Sequence, residues 1–414
     1  MKFLQENGLD PHALDAETLL DAFREEMRRG LRGQGPLPML PAGFPLRDAP
    51  PKTCEIPAFD VGGTNIRSAR IHFDASGAPS VRDLVRGAMP GARGRVSEED
   101  FYGALCDALL PNLRAGERFG FCFSYPVTPE GELLFWTKGI QAPDIPGTNV
   151  LEGMARRLAA RGCPNAGARI LNDTVAALLA AYAHPATRPL AGHVGFILGT
   201  GTNTAYAETA EAIVKCPDLP AGTRIPVNCE SGNFARFPRS RFDERYEALN
   251  GNGRAQWERC ISGVHLGPLG TLVLRTAAEE GLFAGGLRDT LLARDFSNIE
   301  LDAFCAGQRP DLLPCSGAEA QRIRELLCPM YERAARFAAV NIAAAALASA
   351  EAQGSQGGLI RVNADGSTFW KTACVPFVDI VSRQLRALLE PRGFDFELVR
   401  LEDAPLIGAA LAAC

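Results

Sequence analysis

At 414 residues the chain is longer than one ordinary hydrophobic core organises, and two lobes are expected. Its 46% apolar and 22% charged residues, without a low-complexity tract, exclude disordered and fibrous classes. A formal net charge of -5 excludes a chain-wide basic field for nucleic acid.

Residues 1–10 carry Glu6 and Asp10 and lack the apolar run of a secretory signal, so a cytoplasmic location is expected. Leu14, Leu19, Leu20, Phe23, Met27 and Leu31 recur at helical intervals and predict an amphipathic helix within residues 11–32. Residues 33–51 hold six prolines and three glycines and read as a connector across a surface. Two strands, 56–61 and 65–73, flank the turn Gly62-Gly63-Thr64, and the arrangement returns as strands 194–198 and 203–208 around Gly199-Thr200-Gly201-Thr202. The shared Gly-Thr-Asn, at Gly63-Thr64-Asn65 and Gly201-Thr202-Asn203, suggests two related lobes, each with one glycine hairpin.

Between the hairpins, residues 168–171 read as a strand leading through Asn172-Asp173-Thr174 into a helix over 175–183. Further helices are expected over 329–350 and 377–389, and strands interleaved with helices make an α/β architecture. The apolar run 338–350 is interrupted by Asn341 and Ser349 and is too short for a membrane span, so no membrane partner is expected. Twelve cysteines, dispersed from Cys54 to Cys414 without a CxxC pair or zinc spacing, are read as reduced and mostly structural.

Glycine turns let backbone N–H groups reach phosphate oxygens, and threonine hydroxyls add donors, although a single such turn is more often a plain β-turn. Asp60 ends its strand just before the first turn, where it is either a turn-capping residue or a carboxylate that holds Mg²⁺ through water. Asp173 is likewise either a helix cap or a general base. The chain has neither GxxxxGK[ST] nor a GxGxxG between strand and helix, which argues against P-loop and dinucleotide-binding enzymes. Phe121-Cys122-Phe123-Ser124-Tyr125-Pro126 and Trp136-Thr137-Lys138-Gly139 set polar groups among bulky apolar ones, as a sugar pocket requires. Only five of the 43 basic residues are lysines, which sets Lys138 apart from routine surface charge.

These segments resemble the eukaryotic-type hexokinase family over nearly the whole chain. The resemblance runs through Leu37-Pro38-Met39-Leu40-Pro41, Asp60-Val61-Gly62-Gly63-Thr64-Asn65-Ile66-Arg67, Phe123-Ser124-Tyr125-Pro126, Leu171-Asn172-Asp173-Thr174-Val175, Gly199-Thr200-Gly201-Thr202-Asn203 and Ile261-Ser262-Gly263. It implies a two-lobed actin-like ATPase (ribonuclease H-like) fold with a central cleft. On that fold the small lobe is expected at 55–171 plus 403–414 and the large lobe at 1–54 plus 172–402.

The resemblance implies a kinase that moves the γ-phosphoryl group of ATP to the 6-hydroxyl of a hexose, acting as a monomer or homodimer with Mg²⁺. By motif position Ser124, Thr137, Lys138, Asn172, Asp173, Asn203, Glu230 and Glu258 would surround the sugar, with Asp173 as base and Lys138 beside it. Asp60, Gly62, Gly63, Thr64, Asn65, Gly199, Thr200, Gly201, Thr202, Asp365, Gly366 and Ser367 would face the nucleotide, with Asp60 toward Mg²⁺. Departures fall mostly at the nucleotide end. Ala404-Pro405-Leu406-Ile407 replaces a family Gly-Ser-Gly-Lys and is expected as an altered loop that weakens purine contacts. Asn363 and Ser231 replace a usual glycine and tryptophan, and Ala255 stands where a sugar-contacting glutamine is usual, with Gln256 next to it. A sugar sensor without turnover, or a kinase with another sugar or donor, are the alternatives.

Overall fold

Extended segments broken by glycine turns build two sheets on one plan in this computed structural model, which describes residues 2–47, 49–128, 130–136, 138–215 and 219–414. After β1 (Leu40–Pro41), the strands β2 (Cys54–Val61), β3 (Asn65–Phe73), β4 (Pro79–Ala88), β5 (Phe119–Phe123) and β6 (Ala168–Leu171) make a five-stranded sheet in the order β4-β3-β2-β5-β6. β7 (Leu190–Leu198), β8 (Thr202–Thr209), β9 (Arg224–Asn228), β10 (Gly358–Asp365) and β11 (Phe394–Val399) join β1 in a six-stranded sheet ordered β1-β9-β8-β7-β10-β11.

Each sheet opens with a three-strand antiparallel meander, β2 to β4 or β7 to β9, whose first strand then pairs in parallel with a later one. β6 and β11 complete the two parallel sets. The Gly-Thr-Asn repeat therefore marks one place in both plans, the turn from the first meander strand to the second. Val61 pairs with Ile66 across the first turn and Leu198 with Thr202 across the second.

The N-terminal helix runs Ala16–Leu31, capped by Asp15 through the Thr18 N–H, and buries Leu19, Leu20, Phe23, Met27 and Leu31. The proline-rich connector contributes β1 at the sheet edge, where Pro41 removes no interior ladder bond. The long helix begins at Gly317, ahead of the expected 329, because Ser316 and Glu319 form a reciprocal cap; Pro329 lies inside it. The helix Phe377–Leu389 has the expected bounds.

Two helices fill the layer between the sheets. Asp173–Ala183 packs on β7, β8 and β10, and the C-terminal helix Ala404–Ala413 packs on that helix and on β2, β5 and β6. Their contact is close: a Cβ at Gly408 would collide with the Ala176 backbone. Leu171, Val175, Leu178, Leu406 and Ala410 form a shared core there, and each fully buried leucine contributes about 1.5–3 kcal/mol. Among the described residues no helix is long and apolar enough to cross a membrane.

Candidate active site

Many of the residues singled out in the sequence cluster at the C-terminal ends of parallel strands, the edge where α/β sheets place ligands, while Glu230 follows the antiparallel β9 and Glu258 lies on the helix Gln256–Ile261. Asp60 and the first glycine turn lie at the end of β2, Ser124 follows β5, and Asn172-Asp173 follow β6. The second turn follows β7, and Asp365-Gly366-Ser367 lie at the end of β10.

The helix after β6 separates the two roles weighed for Asp173. Asn172 is the cap, its side chain accepting the Thr174 N–H at 2.8 Å, while Asp173 is the first helical residue. Among the described residues the Asp173 carboxylate takes only a 3.3 Å bond from the Thr174 hydroxyl, and it stands where its charge is felt by both Asp60 and Glu230. Glu230 adopts a left-handed backbone, φ 52°, a conformation that a non-glycine residue holds at a cost and that recurs at functional sites. Its Oε1 accepts from Asn228 at 2.8 Å and from Asn203 at 3.4 Å. Burial pushes the Glu230 carboxyl up, and the charges of Asp173 and Glu258 push it further.

Glu258 is also raised by burial, and its Oε2 accepts the Thr202 N–H at 2.8 Å. His265 lies 3.9 Å from Glu258 and 2.9 Å from the Tyr246 hydroxyl. Burial holds that imidazole down at about 4, so it is neutral near pH ~7 and makes no ion pair with Glu258.

Asp60 is buried, and its Oδ2 accepts Arg67 Nε at 2.9 Å and Nη2 at 2.8 Å. Arg67 reaches across to Asp403 at 2.9 Å, tying the end of β2 to the start of the C-terminal helix. Burial raises the Asp60 carboxyl while Arg67 pulls it back. One carboxylate oxygen is thus taken by a cation, and among the described residues no group of three or more His, Cys, Asp or Glu side chains forms a metal cage. Such a donor set fits Mg²⁺ held through water and nucleotide phosphates, the arrangement that ion favours.

The first turn lies under Lys138. A Cβ at Gly63 would come within 2.8 Å of Lys138 Cδ, and Lys138 Nζ donates to the Ser124 carbonyl at 3.0 Å over the Tyr125 ring. The Tyr125 hydroxyl donates to the Gly62 carbonyl at 2.8 Å; Thr64 and Asn65 are exposed. Thr137 lies outside the described residues.

The second turn is packed from behind. Glu258 Oε2 would lie 2.6 Å from a Cβ at Gly201, the Thr368 hydroxyl donates to the Gly199 carbonyl at 2.9 Å, and Gly366, at φ 114°, fits against the Leu198 carbonyl where a side chain would collide. Asp365, Gly366 and Ser367 are therefore gathered at this turn. Thr202 has spent both donors inside the protein, its N–H on Glu258 and its hydroxyl on the Ile197 carbonyl at 3.0 Å. The exposed Thr200 stands at the tip of the turn instead.

Hexokinase family models match residues 2–183 and 193–414. The chain belongs to the hexokinase family. It is 27% identical to Hexokinase-1 of Saccharomyces cerevisiae over 98% of this chain and 90% of that protein. It is 30% identical to Hexokinase-1 of Oryza sativa subsp. japonica over 86% of this chain and 78% of that protein. Among solved structures it is similar to the hexokinase from Schistosoma mansoni complexed with glucose, with a TM-score of 0.80, 25% identity, and coverage of 100% of this chain and 98% of that one. This hexokinase-family chain has the two-lobed actin-like ATPase fold, and it is a sugar kinase, a phosphotransferase with an alcohol acceptor.

The departures from the family pattern acquire structural reasons. Residues 404–407 are the first turn of the C-terminal helix and not a loop: Pro405 suits a position whose N–H has no intrahelical partner, and Ala404, Leu406 and Ile407 are buried. Asn363, fully buried, donates to the Ala177 carbonyl at 3.0 Å and accepts the Leu401 N–H at 3.1 Å, fastening β10 to both neighbours. Ser231, also fully buried, joins Thr204 and Asn341 in a hydrogen-bonded triad. Gln256 donates to the Gly253 carbonyl at 3.3 Å and lines a small cavity with Asp243, Glu247 and Cys260. Two further residues complete these groups: Asn228, two positions before Glu230, accepts from Asn203 at 2.6 Å across the β8–β9 pair, and Asp403 reaches Arg67 over a separation of 336 residues.

Proposed function

We propose that this chain transfers the γ-phosphoryl group of ATP to the 6-hydroxyl of a hexose, with glucose as the first candidate. The observation that carries this reading is the placement of Asp173, free of the capping duty that Asn172 performs, within the electrostatic reach of Glu230 and Asp60. The solved hexokinase to which the chain is similar along its whole length is complexed with glucose, which supports that choice of sugar.

Asn172, Asn203, Glu230 and Glu258, with Ser124, Thr137 and Lys138 from the other side, hold the sugar; amides, hydroxyls and carboxylates suit a polyol whose hydroxyls both donate and accept. The Asp173 carboxylate takes the proton of the primary hydroxyl as that oxygen attacks the γ-phosphorus and the bond to the leaving ADP breaks. Gly62, Gly63, Thr64 and Asn65 on one side, and Gly199, Thr200, Gly201, Thr202, Asp365, Gly366 and Ser367 on the other, position the nucleotide, with Thr200 the more available hydroxyl of the second turn. Thr202 acts there through the backbone shape it fixes. Asp60 would hold Mg²⁺ through water, and the ion would supply charge neutralisation for the transferring phosphates. The small lobe comprises 55–171 plus 403–414 and the large lobe the remainder, and cleft closure excludes water as a competing acceptor. The protein works in the cytoplasm as a monomer or homodimer.

A coupled assay of the purified chain with glucose, fructose and mannose against ATP, GTP and ITP tests this. Turnover of glucose with ATP supports it; saturable sugar binding with no turnover from any donor assigns a sensor instead.

A further inference from the structure

Far from the sugar group, three cysteines from three separate elements converge. Cys328 lies on the helix Gly317–Ala352, Cys305 ends the helix Asn298–Cys305, and Cys374 lies between the helices Ser367–Lys371 and Phe377–Leu389. The Cys328 thiol donates to the Cys374 carbonyl oxygen at 3.6 Å, and the Cys305 and Cys374 thiols are the side chains beside it. Asp302 fixes the third member by accepting the N–H groups of Ala373 at 2.9 Å and Cys374 at 2.8 Å. An open groove of about 470 Å³ runs along residues 372–379 and brings solvent to Cys374. Cys328 and Cys374 are half-buried, whereas Cys106, Cys122, Cys229 and Cys260 are sealed in the core. All described cysteines are free thiols.

We propose that Cys328 and Cys374 form a reversible dithiol–disulfide site that reacts with small hydroperoxides, with Cys305 preparing Cys328 for attack. The Cys305 and Cys374 thiols beside it lower the Cys328 thiol from its ordinary value. The Cys328 thiolate attacks a peroxide oxygen; an S–O bond forms, the O–O bond breaks, and the leaving oxygen takes a proton. The Cys374 sulfur then attacks the sulfenic sulfur, an S–S bond forms, and water leaves. Two thiols lose two electrons to the peroxide, and a small thiol reverses the bridge by exchange. A reducing cytoplasm makes such a bridge transient, the usual state of disulfides there.

The bridge would also fasten the segment that follows the helix Ser367–Lys371, whose Thr368 holds the Gly199 carbonyl. This extension rests on the reading of the second turn as a phosphate site. The full-length protein, treated with stoichiometric hydrogen peroxide, alkylated without reduction and digested, should yield a Cys328–Cys374 crosslinked peptide that dithiothreitol removes. Cys328→Ser and Cys374→Ser should each lose it, and Cys305→Ser should form it several-fold more slowly. Absence of a link, a Cys305–Cys328 link, or an unchanged rate in Cys305→Ser overturns the assignment. The oxidised wild type should show a raised KM for nucleotide with the sugar KM unmoved, and Cys374→Ser should be insensitive. A mapped bridge without that shift overturns the extension alone.

Discussion

The two glycine turns carry the same Gly-Thr-Asn and occupy the same place in two similarly built sheets, yet their surroundings differ. Thr64 and Asn65 are exposed, and the nearest lid over Gly63 is the stem of one exposed lysine. In the second turn, Thr202 and Asn203 are committed to hydrogen bonds with Ile197, Glu258, Asn228 and Glu230, and Glu258, Thr368 and Gly366 press on the turn from behind. One tripeptide thus makes an adaptable turn in one lobe and a braced one in the other. What decides is the packing of residues distant in sequence. The braced turn is tied directly to Glu258 through the Thr202 N–H, whereas the first turn meets Lys138 only through that side chain's flexible stem.

The largest effect is expected in the layer beneath both turns. Leu406→Ala removes a fully buried side chain shared by the two sheets and should cost about 2–5 kcal/mol, read as a lowered melting temperature. An unchanged melting temperature with an altered KM for ATP would return residues 404–407 to the role of a nucleotide-facing loop.

The two turns themselves give the next contrast. Gly201→Ala drives a methyl group against a carboxylate already fixed by the Thr202 N–H, and kcat/KM for sugar should fall about tenfold or more. Gly63→Ala meets only the stem of the exposed Lys138, which can swing aside, so a change below about threefold is expected. Paired steady-state kinetics on the two variants check the asymmetry, and equal losses would remove it.

The hairpins, the strand ends and the helix after β6 were all legible in the sequence, because alternating strands, tight glycine turns and Asn172-Asp173-Thr174 are local signals. The apolar run from Pro329 does not show where the long helix starts; the cap pair Ser316 and Glu319 does. Set against a glycine-rich family segment, residues 404–407 suggest a loop, whereas Pro405 followed by Leu406 and Ile407 equally describes the buried first turn that the structure has. The burden on Thr202 and the clasp of Arg67 on Asp60 and Asp403 depend on contacts that no local pattern encodes.

The smallest effect is one of pH. Burial raises Glu230 above its unfolded value, so its contribution to stability is fully present at pH below that unfolded value and is lost as pH rises through the folded one. Glu230→Gln cannot ionise and escapes this loss. Its melting temperature relative to wild type should therefore climb as pH rises from the unfolded carboxylate value through the raised folded one, even as sugar affinity falls. Thermal melts of both proteins across that range check the sign, and a constant difference would show that Glu230 carries no burial penalty.

The central claim is that Asp173 is the base for phosphoryl transfer and not a structural cap. The most direct measurement is a comparison of Asp173→Asn with wild type, with glucose affinity by calorimetry and turnover at saturating glucose and MgATP. The account predicts glucose binding within about threefold of wild type and turnover lowered at least ~10²-fold. Near-wild-type turnover at saturating sugar would contradict it.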